Sequence, residues 1–168
     1  TSTPAPCRKM LKDAFKILMS GTEEECIEYI EKCRKEFKSL PPEEVSFPRT
    51  ASNVEKWHSS ADLYGKGCPI HIRGAILYNH WTKKKDIDHK YATIQNGEKI
   101  KFCYLKTPNW MHENVISFIQ DFPTELDLDK HVDYDLQFSK AFLDPIKVIL
   151  DCIGWETERK NTLESFFS

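Results

Sequence analysis

The chain has 168 residues, 40% hydrophobic and 12% aromatic, with 24 Lys and Arg against 26 Asp and Glu and a formal net charge of −2. That is too apolar and aromatic for a disordered tail, and long enough for one compact domain or two small lobes. No apolar run approaches the ~18 residues of a membrane span, and the opening TSTPAPCRKM lacks a signal peptide's apolar segment, so the expectation is a cytosolic protein without a membrane partner.

The first 40 residues predict a helical hairpin. Leu11, Ala14, Phe15 and Leu18 recur at helical spacing behind a Ser2-Thr3-Pro4 start signal, and Gly21 ends the helix. Thr22 followed by Glu25 makes a capping box for a second helix, whose Cys26, Ile30, Cys33 and Phe37 form the matching apolar face. Pro41-Pro42 stops it, a strand is expected at Val45 to Phe47, and a polar connection carries Asn53 to His58. The initial Thr in place of Met suggests a piece of a longer polypeptide.

The middle of the chain concentrates its positive charge. From Lys66 to Lys106 nine Lys and Arg face three Asp and Glu, a net of +6, whereas the preceding residues carry −1 and those after Lys106 carry −7. A cationic patch of this kind suits polyphosphates, above all nucleic acid, because lysines that neutralise adjacent phosphates release condensed counterions without reading sequence. Pro69 to Trp81 predicts a short helix with His71 and Arg73 in its first turn, where free N–H groups and the helix dipole favour a phosphate; the alternative is that Arg73 pairs with a carboxylate and His71 is packed. Asn96-Gly97 is a turn signal leading into Lys99 to Lys106, where Lys99 and Lys101 alternate with Ile100 and Phe102 and so share one face of a strand. A strand at Val115 to Phe118 is its expected partner across the loop holding Pro108, Asn109 and Trp110.

A long C-terminal helix is expected over Asp133 to Ile153, with Leu136, Phe138, Phe142, Leu143, Ile146, Ile149 and Leu150 on its apolar stripe, a kink or break at Pro145 and a stop at Gly154. Beyond Trp155 the segment is polar until Phe166 and Phe167. Six cysteines without a CxxC pair, four of them (Cys26, Cys33, Cys103 and Cys152) among apolar neighbours, predict reduced, packed thiols.

Three segments taken together, GKGCPIHIRGAILYN (65–79), IQNGEKIKFCYLKTPN (94–109) and the terminal TLESFFS (162–168), behind an STP-helix-helix opening, closely resemble the C-terminal thumb domain of the family B replicative DNA polymerases of T-even-type bacteriophages. The resemblance implies a predominantly helical α+β thumb over residues 1–155, with a helical hairpin, a small mixed outer subdomain at about 45–120 and a long C-terminal helix. It implies that Lys66, His71, Arg73, Lys99 and Lys101 approach the DNA backbone of primer-template, setting register without specifying bases. It further implies that residues 156–168 form a tether and sliding-clamp peptide, with Leu163, Phe166 and Phe167 as apolar anchors.

Catalysis is expected elsewhere. The palm carboxylate motifs of the DxxSLYPS and DTD types, which hold two Mg2+ ions in the family, do not occur in this chain, nor do exonuclease carboxylate motifs, so no catalytic residue, metal site or cofactor is assigned to it. Cys68, His71, His80, Asp86, Asp88 and His89 lack metal-site spacing, and Asp127, Asp129, Asp133 and Asp135 lack the glycine and terminal Glu of a calcium loop. The expected partners are primer-template DNA, a sliding clamp and the palm and exonuclease portion, fused or separate, in the cytoplasm of an infected bacterial host. The competing expectation is a free-standing, non-catalytic DNA-binding subunit of a split polymerase.

Overall fold

The computed structural model describes residues 2–59 and 61–158. It is a mixed α+β protein with a small antiparallel sheet. Helices α1 (Ala5–Ser20) and α2 (Glu23–Lys38) pack as a hairpin. The α2 face is the expected one, with Cys26, Ile30, Cys33 and Phe37 all buried, and Glu25 N–H donates to the Thr22 hydroxyl at 3.2 Å to cap it. The α1 face is rotated from expectation: Cys7, Met10 and Ala14 are buried, whereas Phe15 is exposed. Leu11 and Phe15 are one helical step off the line joining Cys7, Met10 and Ala14, and composition alone does not rank two adjacent apolar lines.

The strand expected at Val45 to Phe47 begins two residues later. Pro42–Val45 is a helical turn, α3, favoured by proline at its start and by Glu43 and Glu44 in its first turn, and β1 runs Phe47–Thr50. Strand β2 (Lys99–Tyr104) pairs antiparallel with β1, Phe47 opposite Phe102, and on its other side with β3 (Val115–Phe118), Phe102 opposite Ser117. The Asn96-Gly97 turn is present, with Gly97 at φ +88° and its N–H donating to Ala51 O at 2.6 Å. The order β1-β2-β3 places β2 in the centre.

Helix α4 (Ile70–Lys84) lies across this sheet. Gly74 is the point of closest approach: a Cβ there would fall on the Ser117 hydroxyl and 2.8 Å from the Ser117 backbone nitrogen. The Ser117 hydroxyl donates to His71 O at 2.8 Å, tying the first turn of α4 to β3. The buried Asn79 side chain closes the other end of the helix, donating to Ile94 O at 3.0 Å and accepting from Ile94 N–H at 2.8 Å.

The C-terminal helical stretch comprises α5 (Tyr134–Phe138), a π-helical turn at Ser139–Leu143 and α6 (Asp144–Ile153). Proline does not break it. Asp144 N–H reaches back five residues to Ser139 O, a π-type slip placed directly before Pro145, whose ring lacks an N–H to continue the regular ladder. Phe138, Phe142, Ile146 and Leu150 are buried in consequence, while Leu136 and Ile149, expected on the same stripe, are exposed. Gly154 ends α6 at φ +77°, as expected. The α2 and α5 helices meet through Phe37, whose ring lies 5.3 Å from Phe138, and Tyr134 donates to Leu40 O at 2.7 Å.

All six cysteines are free, and Cys7, Cys33 and Cys103 are buried, their thiols pushed up to about 12, 11 and 12 chiefly by burial, which keeps them protonated and unreactive. Cys152, expected among apolar neighbours, is exposed on α6. Among the described residues no helix is long and apolar enough to cross a membrane.

Candidate nucleic-acid interface

The five residues singled out in the sequence fall into three groups. Arg73 and His71, two residues apart on α4, point to different sides of the helix. Arg73 Nη1 donates to Glu113 Oε2 at 2.9 Å, with both side chains largely buried, and its guanidinium lies 5.6 Å from the Tyr64 ring centre. The Tyr64 hydroxyl donates to the other carboxylate oxygen of Glu113 at 2.6 Å, so Glu113 holds the 64–66 loop and α4 together. Of the two alternatives open for Arg73, its Nη1 takes the carboxylate pairing. Lys66 is exposed beside this network, on the rim of a 360 Å³ cleft that also includes Asp62 and Glu113.

His71 faces the sheet. Its ring lies 6.3 Å from that of Phe102, near Arg49, and burial, followed by the Arg49 charge, lowers its pKa from the ordinary 6.5. At neutral pH it is therefore an uncharged imidazole whose one N–H is engaged by the Thr50 backbone, so it is packed against the sheet and does not act as a cation.

Lys99 and Lys101 do share one face of β2, as alternation requires, but it is the face opposite Phe102 and therefore opposite His71. Lys101 is half-buried and its ammonium donates to Glu43 O at 3.1 Å; Lys99, at the start of the strand, is exposed. The five side chains are thus spread over both faces and both ends of the sheet and are not gathered at one point. Among them Lys66 and Lys99 are exposed, while Arg73 and Lys101 have protein partners.

Two further cations escaped sequence reasoning. Arg49 on β1 lies with its guanidinium 5.2 Å from the Phe102 ring centre and 5.8 Å from that of Phe47. Lys140, in the π-helical turn, sits 5.3 Å from the Tyr104 ring centre. Together with Asp144 they border an open 280 Å³ groove floored by Phe47, Phe102 and Tyr104. Arg49 is an isolated charge in its segment and Lys140 belongs to the acidic last third; only the antiparallel register and the helical turn bring them together. The groove reaches His71 through the shared contact with Phe102.

Asp86, Asp88 and His89 lie within 4.8 Å of one another but all three are exposed, and neither Cys68 nor His71 joins them. Asp133 caps α5, accepting from Leu136 N–H at 3.1 Å. Glu125 is held down to about 2 by hydrogen bonds from Lys90 and Tyr91, an exposed link between the loop after α4 and the 124–126 turn. Leu163, Phe166 and Phe167 lie outside the described residues.

No protein-family model matches the chain. Among curated proteins it is 25% identical over 171 residues to the DNA-directed DNA polymerase of Enterobacteria phage T4, and 27% identical over 173 residues to that of Escherichia phage RB69. Each match takes in 99% of this chain and 18% of the polymerase, so the chain spans less than a fifth of the length of these relatives. Over essentially its whole length, the chain is similar to a portion of the DNA-directed DNA polymerases of T-even-type phages.

Proposed function

We propose that this chain is the C-terminal thumb of a family B phage DNA polymerase, gripping primer-template duplex behind a polymerase site that lies in the rest of the enzyme. What carries the reading is the end-to-end similarity to two phage polymerases. It is supported by a cationic middle segment carried on a rigid α4-sheet unit while the rest of the chain is acidic. Lys66 and Lys99 supply solvent-facing phosphate contacts, and Arg49 and Lys140 line the neighbouring groove. His71, held against the sheet, and Arg73 and Lys101, through Glu113 and the Glu43 carbonyl, help to shape the surface. The tail from Leu163 docks a sliding clamp through Phe166 and Phe167.

In this reading the chain has no catalytic residue or cofactor of its own. The Mg2+ ions belong to the palm, and the chain works in the cytoplasm of an infected bacterium, fused to the palm and exonuclease portion or docked on it. A free-standing accessory subunit of a split polymerase is the second reading, favoured by the well-packed core that the chain builds by itself.

The exposed lysines give the cleanest test, because reversing Arg73 would also break its pair with Glu113. Replacing Lys66 and Lys99 with Glu is expected to weaken binding of primer-template duplex equally for all sequences. The slope of log affinity against log salt should fall by about 0.9 for each phosphate that is no longer neutralised. Fluorescence anisotropy at several salt concentrations reads both quantities, and an unchanged slope would contradict the assignment.

A further inference from the structure

The far end of α4 carries a second basic surface, which the duplex reading does not use. About 13 residues, or roughly 20 Å of helix, separate His71 from Lys84. There the Trp81 and Trp110 rings meet edge to face at 4.8 Å. Trp110 is anchored by its indole N–H, which donates to Leu126 O at 2.7 Å. The Trp81 indole nitrogen is buried without a hydrogen-bond partner.

Two exposed lysines lie over these rings and a third, Lys83, faces the neighbouring cavity. The Lys84 ammonium lies 5.5 Å from the Trp81 ring centre, and that of Lys85 4.5 Å from the Trp110 ring centre. Lys83 borders a 580 Å³ cavity whose wall includes His58, Asn79, His80, Gln95 and Asn96. That volume lies within the ~300–1,000 Å³ range of small-molecule sites, and its rim offers imidazole and amide edges for hydrogen bonding. Of the nearby acids, Glu125 is bonded to Lys90, whereas Glu55 lines the same cavity and Asp86 and Asp88 are exposed beside His89.

We propose that Trp81, Trp110 and Lys83 to Lys85 form a binding surface for single-stranded DNA, with the adjoining cavity receiving a base turned out of the strand. Half-buried indole rings flanked by mobile cations are the combination that unpaired nucleic acid uses. A base that stacks on an aromatic face binds more strongly than the exposed cation–π contact it displaces, and the displaced ammonium is freed for a phosphate. Duplex DNA cannot use the surface in this way, because its bases are already stacked and paired. An acidic peptide would satisfy the lysines but leave the rings unused, so nucleic acid fits the whole site better. The surface shares no residue with the proposed duplex contacts, so either assignment can fail without the other.

The test uses the full chain and a fluorescein-labelled twelve-nucleotide oligo(dT). Replacing Lys84 and Lys85 with Gln is expected to weaken oligo(dT) binding by about 25-fold at 0.1 M salt and to lower the salt slope by about 1.4, at ~0.7 for each phosphate of a single strand. Replacing Lys66 and Lys99 with Glu should change oligo(dT) affinity less than twofold. Binding should quench tryptophan fluorescence in the parent chain, and Trp110→Leu should cost between about five- and 100-fold with the lysines intact. The lysine variant alters exposed side chains only, so it stays informative if Trp110→Leu fails to fold. Unchanged oligo(dT) affinity in the Lys84→Gln, Lys85→Gln variant would overturn the proposal. Equal displacement of oligo(dT) by polyglutamate would also overturn it, since the surface would then read charge alone.

Discussion

Replacing Gln137 with leucine is expected to cost the fold about 3 kcal/mol, because two buried backbone groups lose their partners at ~1–3 kcal/mol each. Gln137 is fully buried, accepts from Tyr104 N–H at 2.8 Å and donates to Val45 O at 2.7 Å. The pair of bonds stands where a ladder rung would lie if β1 extended back past Phe47. Because Pro42–Val45 turns helical instead, the side-chain amide of α5 bridges the gap and joins the helical layer to the sheet. Leucine has similar volume, so packing survives and the change isolates the hydrogen bonds. For a domain of this size the melting temperature should drop by about 6–12 °C. A shift under 2 °C in a thermal melt would mean that water or a local rearrangement satisfies both groups.

Gly74→Ala is expected to destabilise the protein by about 2 kcal/mol through overpacking, and here the sign is decisive. On an exposed helix the same change stabilises by ~1 kcal/mol through helix propensity. At Gly74 the added methyl meets Ser117, whose hydroxyl can rotate away but whose backbone nitrogen, 2.8 Å from the new carbon, cannot move without displacing β3. Adding Ser117→Ala should therefore restore only part of the stability. A stabilised Gly74→Ala variant would show that α4 is free to lift off the sheet. Since α4 carries His71 at one end and Trp81 at the other, that freedom would also undermine both proposed DNA surfaces.

Most of the architecture is legible in the sequence where a local rule has no rival. The Thr22–Glu25 cap, the α2 face, the Asn96-Gly97 turn, the β2–β3 pair and the Gly154 stop each follow from one short-range signal, and each is present. Failures fall where two signals compete. On α1 two adjacent apolar lines compete, and the tertiary partner selects Cys7, Met10 and Ala14 over Phe15. Near Val45 the helix-start chemistry of Pro42 and the two glutamates wins over the β-branched residue. Around Pro145 the chain keeps its helix by slipping one residue, which turns Leu136 and Ile149 outward.

The candidate interface is legible as a charge excess but not as a shape. Counting lysines locates the segment from Lys66 to Lys106. It does not reveal that Glu113, from the acidic side of the sequence, neutralises Arg73, or that Lys101 turns toward Glu43. Arg49 and Lys140 are 91 positions apart and become neighbours only through the β1–β2 register and the helix that packs beside it. Aromatic contacts carry the missing information: Arg49 rests on the Phe102 ring and Lys140 on that of Tyr104.

Primer extension on primed single-stranded DNA, with a phage polymerase core lacking its own thumb, tests the central proposal most directly. The core would be supplied with this chain, first as a separate protein and then fused, each with and without the cognate sliding clamp. A DNA-gripping thumb with a clamp-docking tail predicts longer products when chain and clamp are both present, and disappearance of the clamp effect when residues 163–168 are removed. Products no longer than those of the core alone, even in the fused protein with clamp, would contradict it.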